Sequence, residues 1–564
     1  LASIAPNAIM RPMSVETATD PLAHGEEALL AGDWDRARTI FEGSLAEAET
    51  ARAHDGLGRA LWWLGDLAGA LDHRERAYVV YRREGRMADA ARIALWLSRE
   101  YLDAVGNEPA SNGWVARARG LLSEHESTPE VGWLEITLGE RAMDPPTIRS
   151  HGEAALEIGR RLADPNLEAS ALALVGRAAV LDGDLESGLA SLDEAMTAAT
   201  GGEVSDPLVF GDVCCIVTRA CEEAGELGRL MRWNEVILSY LERHHHAPLM
   251  QWCGTCGAEV FLAHGDVATA EQCLVEAIGG LEKSGHRSRC VQPNVKLAEL
   301  RVLQGRVEEA ERLLVGTEDL PEATRAWVAV HRIRGELAVA AALLLRRLNQ
   351  VGDTVAAIPL LSLLVEVQLD QGLGGDAAAS AERLGSITTR SGHPRYVAMF
   401  DLAQARVALV TGDHSARERL ESALAAFGSL ELPLDEARVR IELARTLEEE
   451  EPELATREGR LAVEAFERLG ATGEADEAAA LVRQLGGPAR TGPKLVGTLT
   501  KREREVLELL GEGLSNAEIA ARVYISTKTA GHHVSSVLAK LHLKSRAEAA
   551  AFALRHLGDV SSER

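Results

Sequence analysis

A short pattern recurs along the 564-residue chain: a glycine, a polar residue, then an apolar, a small and a second apolar position at fixed offsets. It reads GDWDRARTIF from Gly32, GDLAGALDHR from Gly65, GDLESGLASL from Gly183, GDVATAEQCL from Gly265 and GRVEEAERLL from Gly305. Two residues after each glycine stand Trp34, Leu67, Leu185, Val267 and Val307. Five after it stand Ala37, Ala70, Gly188, Ala270 and Ala310. Nine after it stand Phe41, Leu192, Leu274 and Leu314, with Arg74 as the exception. Each member reads as the turn of a helical hairpin. Glycine accepts the left-handed backbone that ends one helix. Aspartate caps the next by accepting from its free N–H groups. The small residue lets the two helices approach. Apolar residues elsewhere recur with helical spacing, and strand signals are nearly absent, so the chain is expected to be all-α.

Markers spaced by about 40 residues mean stacked helix pairs, because one pair cannot bury its apolar face alone. The pattern resembles the tetratricopeptide repeat in a degenerate form, and the array is expected over residues 21–485. Residues 1–20 are expected to be a disordered N-terminal extension. Residues 486–498, rich in Gly and Pro, are expected to be a linker. That segment also holds the nearest approach to a phosphate loop, Gly487-x4-Gly492, but Pro493 stands where the lysine is required. With no GK[ST] in the sequence, an NTPase is not expected.

Charge divides the chain. Lys+Arg total 60 and Asp+Glu 86, a net charge of −26. From Lys494 onward there are 11 Lys/Arg and 8 Asp/Glu, so an acidic body precedes a slightly basic end, the coarse footprint of a nucleic-acid-binding terminus. Hydrophobic residues make up 46% of the chain, enough for a real core. No apolar run reaches the ~18 residues a membrane span needs. Seven cysteines are too few for a disulfide scaffold. The expectation is a cytoplasmic protein, nucleoid-associated when on DNA, with no membrane partner.

Residues 499–564 have a different character. Three capping boxes, Thr500/Glu503, Ser515/Glu518 and Ser545/Glu548, and the cap Ser526 place helix starts near 501, 516, 527 and 546. Only Tyr524, Ile525 and Ser526 separate the second helix from the third, a helix-turn-helix spacing. On the third helix Ala530, Val534, Val537, Leu538 and Leu541 share an inward face. Lys528, His532, Ser535 and Ala539 lie opposite, with no carboxylate among them, which suits a polyanionic groove.

The run Leu-Thr-x-Arg-Glu-x-Glu-Val-Leu (499–507), Gly-Leu-Ser-Asn-x-Glu-Ile-Ala (513–520), Ile-Ser-x-x-Thr (525–529), His533-Val534, Lys540-Leu541 and Ser545-Arg546 resembles the LuxR-type (GerE-like) helix-turn-helix of bacterial transcription regulators. The helical array resembles the repeat domain of the large MalT-like members, without their NTPase module. The fold expected is therefore a tetratricopeptide-like helical-repeat superhelix followed by a four-helix LuxR-type domain. The residues expected to meet double-stranded DNA are Thr527, Lys528, Thr529, Gly531, His532, His533, Ser535, Ser536 and Lys540. His532 and Ser535 are assigned to base readout, and Thr527, Lys528 and Thr529 to phosphate at the helix start. Gly531 departs from relatives that carry a base-reading lysine there. The resemblance also implies a homodimer through the Ala-rich fourth helix, at Ala547, Ala550, Ala551 and Leu554.

Six of nine tryptophans fall in the first quarter. They are expected to be core residues, or, at Trp62, Trp63 and Trp96, the wall of an effector pocket. Cys253-x-x-Cys256 lacks the βαβ setting of a redox motif. The remaining cysteines and His244, His245 and His246 lack zinc-ligand spacing. No catalytic set can be assembled, so neither an enzyme nor a cofactor or metal site is expected. The function expected is a DNA-binding transcription regulator whose repeats sense a small molecule or partner protein. Its rivals are a scaffold that recruits a protein to DNA and a regulator whose NTPase acts in trans.

Overall fold

The computed structural model describes residues 20–123, 128–244, 257–284, 286, 288–486, 501–523, 527–540, 543 and 545–556. Every regular element among them is helical. Contacts divide the chain into two compact units, 1–486 and 487–564.

The first unit is an array of antiparallel pairs, each an A helix followed by a B helix. They begin with Pro21–Leu30 and Trp34–Glu47, then Ala51–Trp63 and Leu67–Arg83, and end with Pro433–Thr446, Pro452–Arg468 and a last A helix, Thr472–Gln484. The recurring motif does the work its chemistry implies. Gly32, Gly65, Gly183, Gly265 and Gly305 all have φ between +72° and +93°. Asp33, Asp66, Asp184 and Asp266 each accept from the backbone N–H three residues on, at 2.9–3.2 Å. Ala37, Ala70, Ala270 and Ala310 are 0% exposed, as are Phe41, Leu192, Leu274 and Leu314. A Cβ on Gly188 would lie 2.9 Å from the Gly176 carbonyl oxygen, so this crossing admits only glycine.

Arg74, the apolar position's exception, is buried at 4%. Its guanidinium lies over the Trp96 ring at 4.3 Å and 3.4 Å from Asp55. Burial lowers the Arg74 pKa to about 10, opposed by Asp55. Although burial disfavours the Asp55 charge, Arg92, Arg74 and Arg59 hold its carboxyl far below the usual range. An ion pair here replaces an apolar contact.

Where the glycine marker fades, near 105–165 and 320–390, the pairs continue. Near 105–165 a second signal carries them: a cap followed by proline in the first helical turn, at Asp144-Pro145 and Asp164-Pro165; near 320–390 Gly335 and Gly372 still end A helices at positive φ. Proline tolerates the first turn because its missing N–H would have no helical partner there. Asp20, expected in a disordered extension, instead caps the first helix through Leu22 N at 3.1 Å. It also pairs with Arg52 at 3.0 Å.

Successive A helices touch more closely than successive B helices, so the A helices form the inner side of the curve. Their polar residues make a ladder of ion pairs between neighbouring pairs: Arg177–Glu223 at 3.0 Å, Lys296–Glu259 at 2.9 Å, Arg332–Glu366 at 2.7 Å, Arg406–Glu366 at 2.5 Å, Arg406–Glu442 at 3.0 Å and Arg438–Glu474 at 2.6 Å. Arg406 and Arg332, overcoming the effect of burial, hold the Glu366 carboxyl at about 2.

The curve also closes on itself. A–B turns of earlier pairs pack against B–A turns of much later ones. A Cβ added at Gly65 would meet Ser284 at 3.5 Å, at Gly106 Ser288 at 2.5 Å, at Gly225 Tyr396 at 3.1 Å, at Gly265 Leu469 at 2.5 Å and at Gly305 Thr472 at 2.6 Å. Arg99 also reaches Asp212, on the A helix three pairs further on, at 2.5 Å. Contact between distant repeats makes this body more than a one-dimensional stack.

Candidate nucleic-acid interface

The second unit has four helices, Lys501–Gly511, Asn516–Arg522, Thr527–Lys540 and Arg546–His556, starting where the caps place them. Val506, Leu507 and Leu510 of the first helix, Ile519 of the second, Ala530 and Val537 of the third and Ala549 of the fourth are all 0% exposed. Val534 at 7% and Phe552 at 8% complete this core, with Leu538 packed on it. Leu541 lies outside the described residues, as do Thr500 and the turn 524–526.

Polar ties cap the second and fourth helices and join the first, second and fourth to one another. The Ser515 hydroxyl accepts from Glu518 N at 3.3 Å, while Ser515 N donates to Glu518 Oε2 at 2.7 Å. This reciprocal box sets the second helix, and its hydrogen bonds lower the Glu518 pKa. Glu548 N donates to the Ser545 hydroxyl at 3.2 Å, capping the fourth. Arg546 Nη1 donates to Asn516 Oδ1 at 2.8 Å, joining the start of the fourth helix to the start of the second. Arg502 reaches the Val523 carbonyl at the end of the second helix. Sequence reasoning missed Arg502, Asn516 and Arg546 as positioning residues, because nothing in their spacing reveals bonds between helices.

Thr527, Thr529 and Ser535 are exposed on the third helix, while Gly531 and His533 are half-buried. Ser535 Oγ donates back to the Gly531 carbonyl at 3.0 Å, which leaves its oxygen free to accept. Ser536 is half-buried. Its hydroxyl donates to Glu503 Oε1 at 2.5 Å, and Glu503 is only 5% exposed. That hydroxyl is committed inside the module, and Glu503, read as a capping partner, receives it. A Cβ on Gly531 would meet only Asn516 Nδ2, at 3.5 Å, so space does not require glycine there. The side chains of Lys528, His532, Lys540, Ala547, Ala551 and Leu554 lie outside the described residues. Ala550 is half-buried.

In the body, Trp62, Trp63 and Trp96 are 2%, 8% and 8% exposed. Trp63 stacks on Trp34 at 4.6 Å, and Trp62 Nε1 donates to Glu100 Oε2 at 3.1 Å. These rings pack the core, and an effector pocket among them would require them to part. Cys253, Cys256, His245 and His246 lie outside the described residues. Cys215, Cys221, Cys273 and Cys290 are free thiols. Burial pushes Cys221 up to about 12, so it is not a reactive thiolate. No cluster of metal-ligating side chains occurs among the described residues, and no described helix is long and apolar enough to cross a membrane.

Residues 497–553 match the family described as bacterial regulatory proteins, luxR family, and residues 137–351 match the MalT-like TPR region. The DNA-binding transcriptional activator DevR/DosR of Mycobacterium tuberculosis is 47% identical over 76 residues, 14% of this chain and 35% of the relative. The transcriptional regulatory protein LnrK of Bacillus subtilis is 47% identical over 58 residues, 10% of this chain and 26% of the relative. The chain thus spans about a third of the length of these curated relatives. Among solved structures, the APC/C hetero-tetramer Cut9-Hcn1 aligns at a TM-score of 0.44 and 12% identity, covering 80% of this chain and 95% of that one.

Proposed function

For a chain that carries a luxR-family DNA-binding domain after a MalT-like repeat region, we propose the function of a sequence-specific transcription regulator. It acts in the bacterial cytoplasm as a homodimer, without catalysis, and its repeat body receives the controlling signal. The observation that carries the reading is the outward face of the helix Thr527–Lys540. Exposed hydroxyls at Thr527, Thr529 and Ser535 stand on a helix with no carboxylate, held by a packed core. Thr527, Lys528 and Thr529 at its N-terminus meet phosphate, where free N–H groups and the helix dipole favour an anion. His532 and Ser535 read base edges, and His533 and Lys540 meet the backbone. Gly531 brings the helix close without reading a base.

Selection of duplexes from a random library with the full chain tests this. About three to five phosphates neutralised per module give log K against log[salt] a slope of roughly −3 to −5 per module. His532→Ala or Ser535→Ala lowers preference for the selected site over random DNA by roughly 1–3 kcal/mol, while Lys528→Ala weakens both equally. A flat salt response or an empty selection removes the reading.

The second reading, a scaffold that recruits a protein partner, draws support from the chemistry of the repeat surface. The inner side is a ladder of Arg–Glu pairs. An outer groove of about 530 Å³ is lined by Glu75, Tyr78, Val79, Arg82, Arg83, Trp114 and Arg117. Charged, open surfaces of this kind suit a polypeptide better than a small apolar effector. Native mass spectrometry of the freshly purified chain separates the two: a retained small mass supports sensing, and a retained protein supports recruitment.

A further inference from the structure

The groove between the B helices Leu67–Arg83 and Glu108–Leu122 lies on the outer face of the body, away from the ion-pair ladder of the A helices. Its floor is aromatic. Tyr78, 5% exposed, meets the half-buried Trp114 edge to face at 4.9 Å. Beside this pair Val79 stays 44% exposed, which leaves an apolar spot open to solvent.

Three guanidiniums surround that floor. Arg82 lies 5.8 Å from the Tyr78 ring centre and Arg117 5.9 Å from that of Trp114, and Arg83 is exposed next to Arg82. None of the three pairs with a carboxylate among the described residues. Nearby arginines do pair: Arg76 with Asp72 at 3.0 Å and Arg86 with Asp89 at 2.8 Å. The groove's one carboxylate, Glu75, is engaged by the Tyr101 hydroxyl at 2.7 Å. The last turn of a helix favours cations, which accounts for Arg82 and Arg83. Arg117 stands before the last turn of its helix and has no such reason to be there.

Three unpaired cations around an exposed apolar floor, on an acidic body, are complementary to carboxylates that flank an apolar side chain. So open a groove would enclose a small ligand poorly. A duplex laid over the two helices would also meet the exposed Glu84 and Glu108, and three cations neutralise few phosphates. A short polypeptide can meet the arginines and the floor alone.

We infer that this outer groove docks an acidic segment of a partner protein. Carboxylates of that segment pair with Arg82, Arg83 and Arg117, and an apolar side chain between them rests on Val79 and Trp114. The inference rests on the recruitment reading above and names the chemistry of the recruited protein.

The test uses the full chain to select from a displayed library of random short peptides. The selected pool is expected to be rich in Asp and Glu around a Leu, Phe or Trp. A selected peptide, labelled and titrated, loses affinity about 10-fold or more on Arg82→Glu or Arg117→Glu, because attraction becomes repulsion. Arg312→Glu makes the same change of charge at an exposed site on the B helix Val307–Leu314. It changes the affinity by less than about 2-fold, since a distant exposed charge is screened. Val79→Ser weakens binding about 3-fold through lost apolar contact. If either ring-flanking substitution lowers the melting temperature, Arg83→Glu, at an exposed site, supplies the same reversal.

A pool without acidic residues overturns the inference. So does binding indifferent to all three reversals in the groove, or weakened as much by Arg312→Glu. A loss of duplex affinity in the groove variants that Arg312→Glu does not share assigns the groove to nucleic acid and overturns it too. A protein retained in native mass spectrometry whose binding survives the reversals keeps recruitment and removes the groove. Peptide binding at the groove with no protein retained keeps the groove and removes recruitment.

Discussion

Phe41 in the repeat body and Val537 in the C-terminal module are both 0% exposed helix residues, yet a substitution at each reaches a different distance. Phe41 occupies a position that recurs as Leu192, Leu274 and Leu314. Its contacts are its own pair and the next, where a Cβ on Gly25 or Gly56 would fall within 3 Å of its ring. Val537 belongs to a single core assembled once from four helices. A periodic body spreads its stability over many equivalent positions. A small module concentrates its stability in a few residues, because a domain of this size has little apolar area to spare.

The largest expected effect falls on the module. Val537→Asp places an unpaired carboxylate in its core, at a cost of about 4 kcal/mol or more. The module unfolds, DNA binding is lost, and far-UV circular dichroism still shows a folded repeat body. Loss of the body's transition in the same melt would show that the two units fold as one. Phe41→Ala leaves a cavity worth about 3–5 kcal/mol. Hydrogen exchange is expected to rise in the first two helix pairs and to leave DNA affinity unchanged. Faster exchange throughout the body would mean that the closure between distant turns makes it one cooperative unit.

Glu366→Gln is expected to cost about 1–2 kcal/mol near pH 7, since the site is partly open to water. The folded pKa of Glu366 is about 2, below the unfolded value of roughly 4.3. Its contribution is therefore present above the unfolded value and is lost as pH falls from there toward 2. Denaturant melts of parent and variant should converge over that window, and a difference that persists at pH 2 would point to packing instead of charge. The smallest effect is Gly531→Ala, which raises module stability by up to about 1 kcal/mol through helix propensity, as the Asn516 contact leaves room. A drop in melting temperature would show that the close approach to the second helix needs glycine.

Legibility followed the same division. Thr527 to Lys540 was readable as a helix because capping chemistry is local and the inward face repeats at helical spacing. Ser515 and Glu518 bond as their spacing implies. For Ser536 a helix wheel places the hydroxyl at the flank of the outward face and says nothing of Glu503 on another helix, to which it donates. The tryptophans were readable as core, but the wheel could not show Trp62 donating to Glu100 on the next A helix. The pairs near 105–165 were blurred because the glycine marker weakens there and Asp-Pro starts replace it.

What the sequence determined by itself was every feature that depends on neighbours along the chain. Those are the positive-φ glycines, the aspartate caps, the small residues at crossings and the four helix starts of the module. Tertiary structure alone decided how Arg406 and Arg332 share Glu366, how Ser536 finds Glu503, and which A–B turns are covered. Those contacts join residues far apart in the chain. Their partners follow from the small rotation between helix pairs, accumulated over many repeats, and no local pattern records that sum. Ile333 and Val410 occupy the motif position of Trp63 and Leu181, and only the closure of the curve leaves the first two exposed and the last two buried.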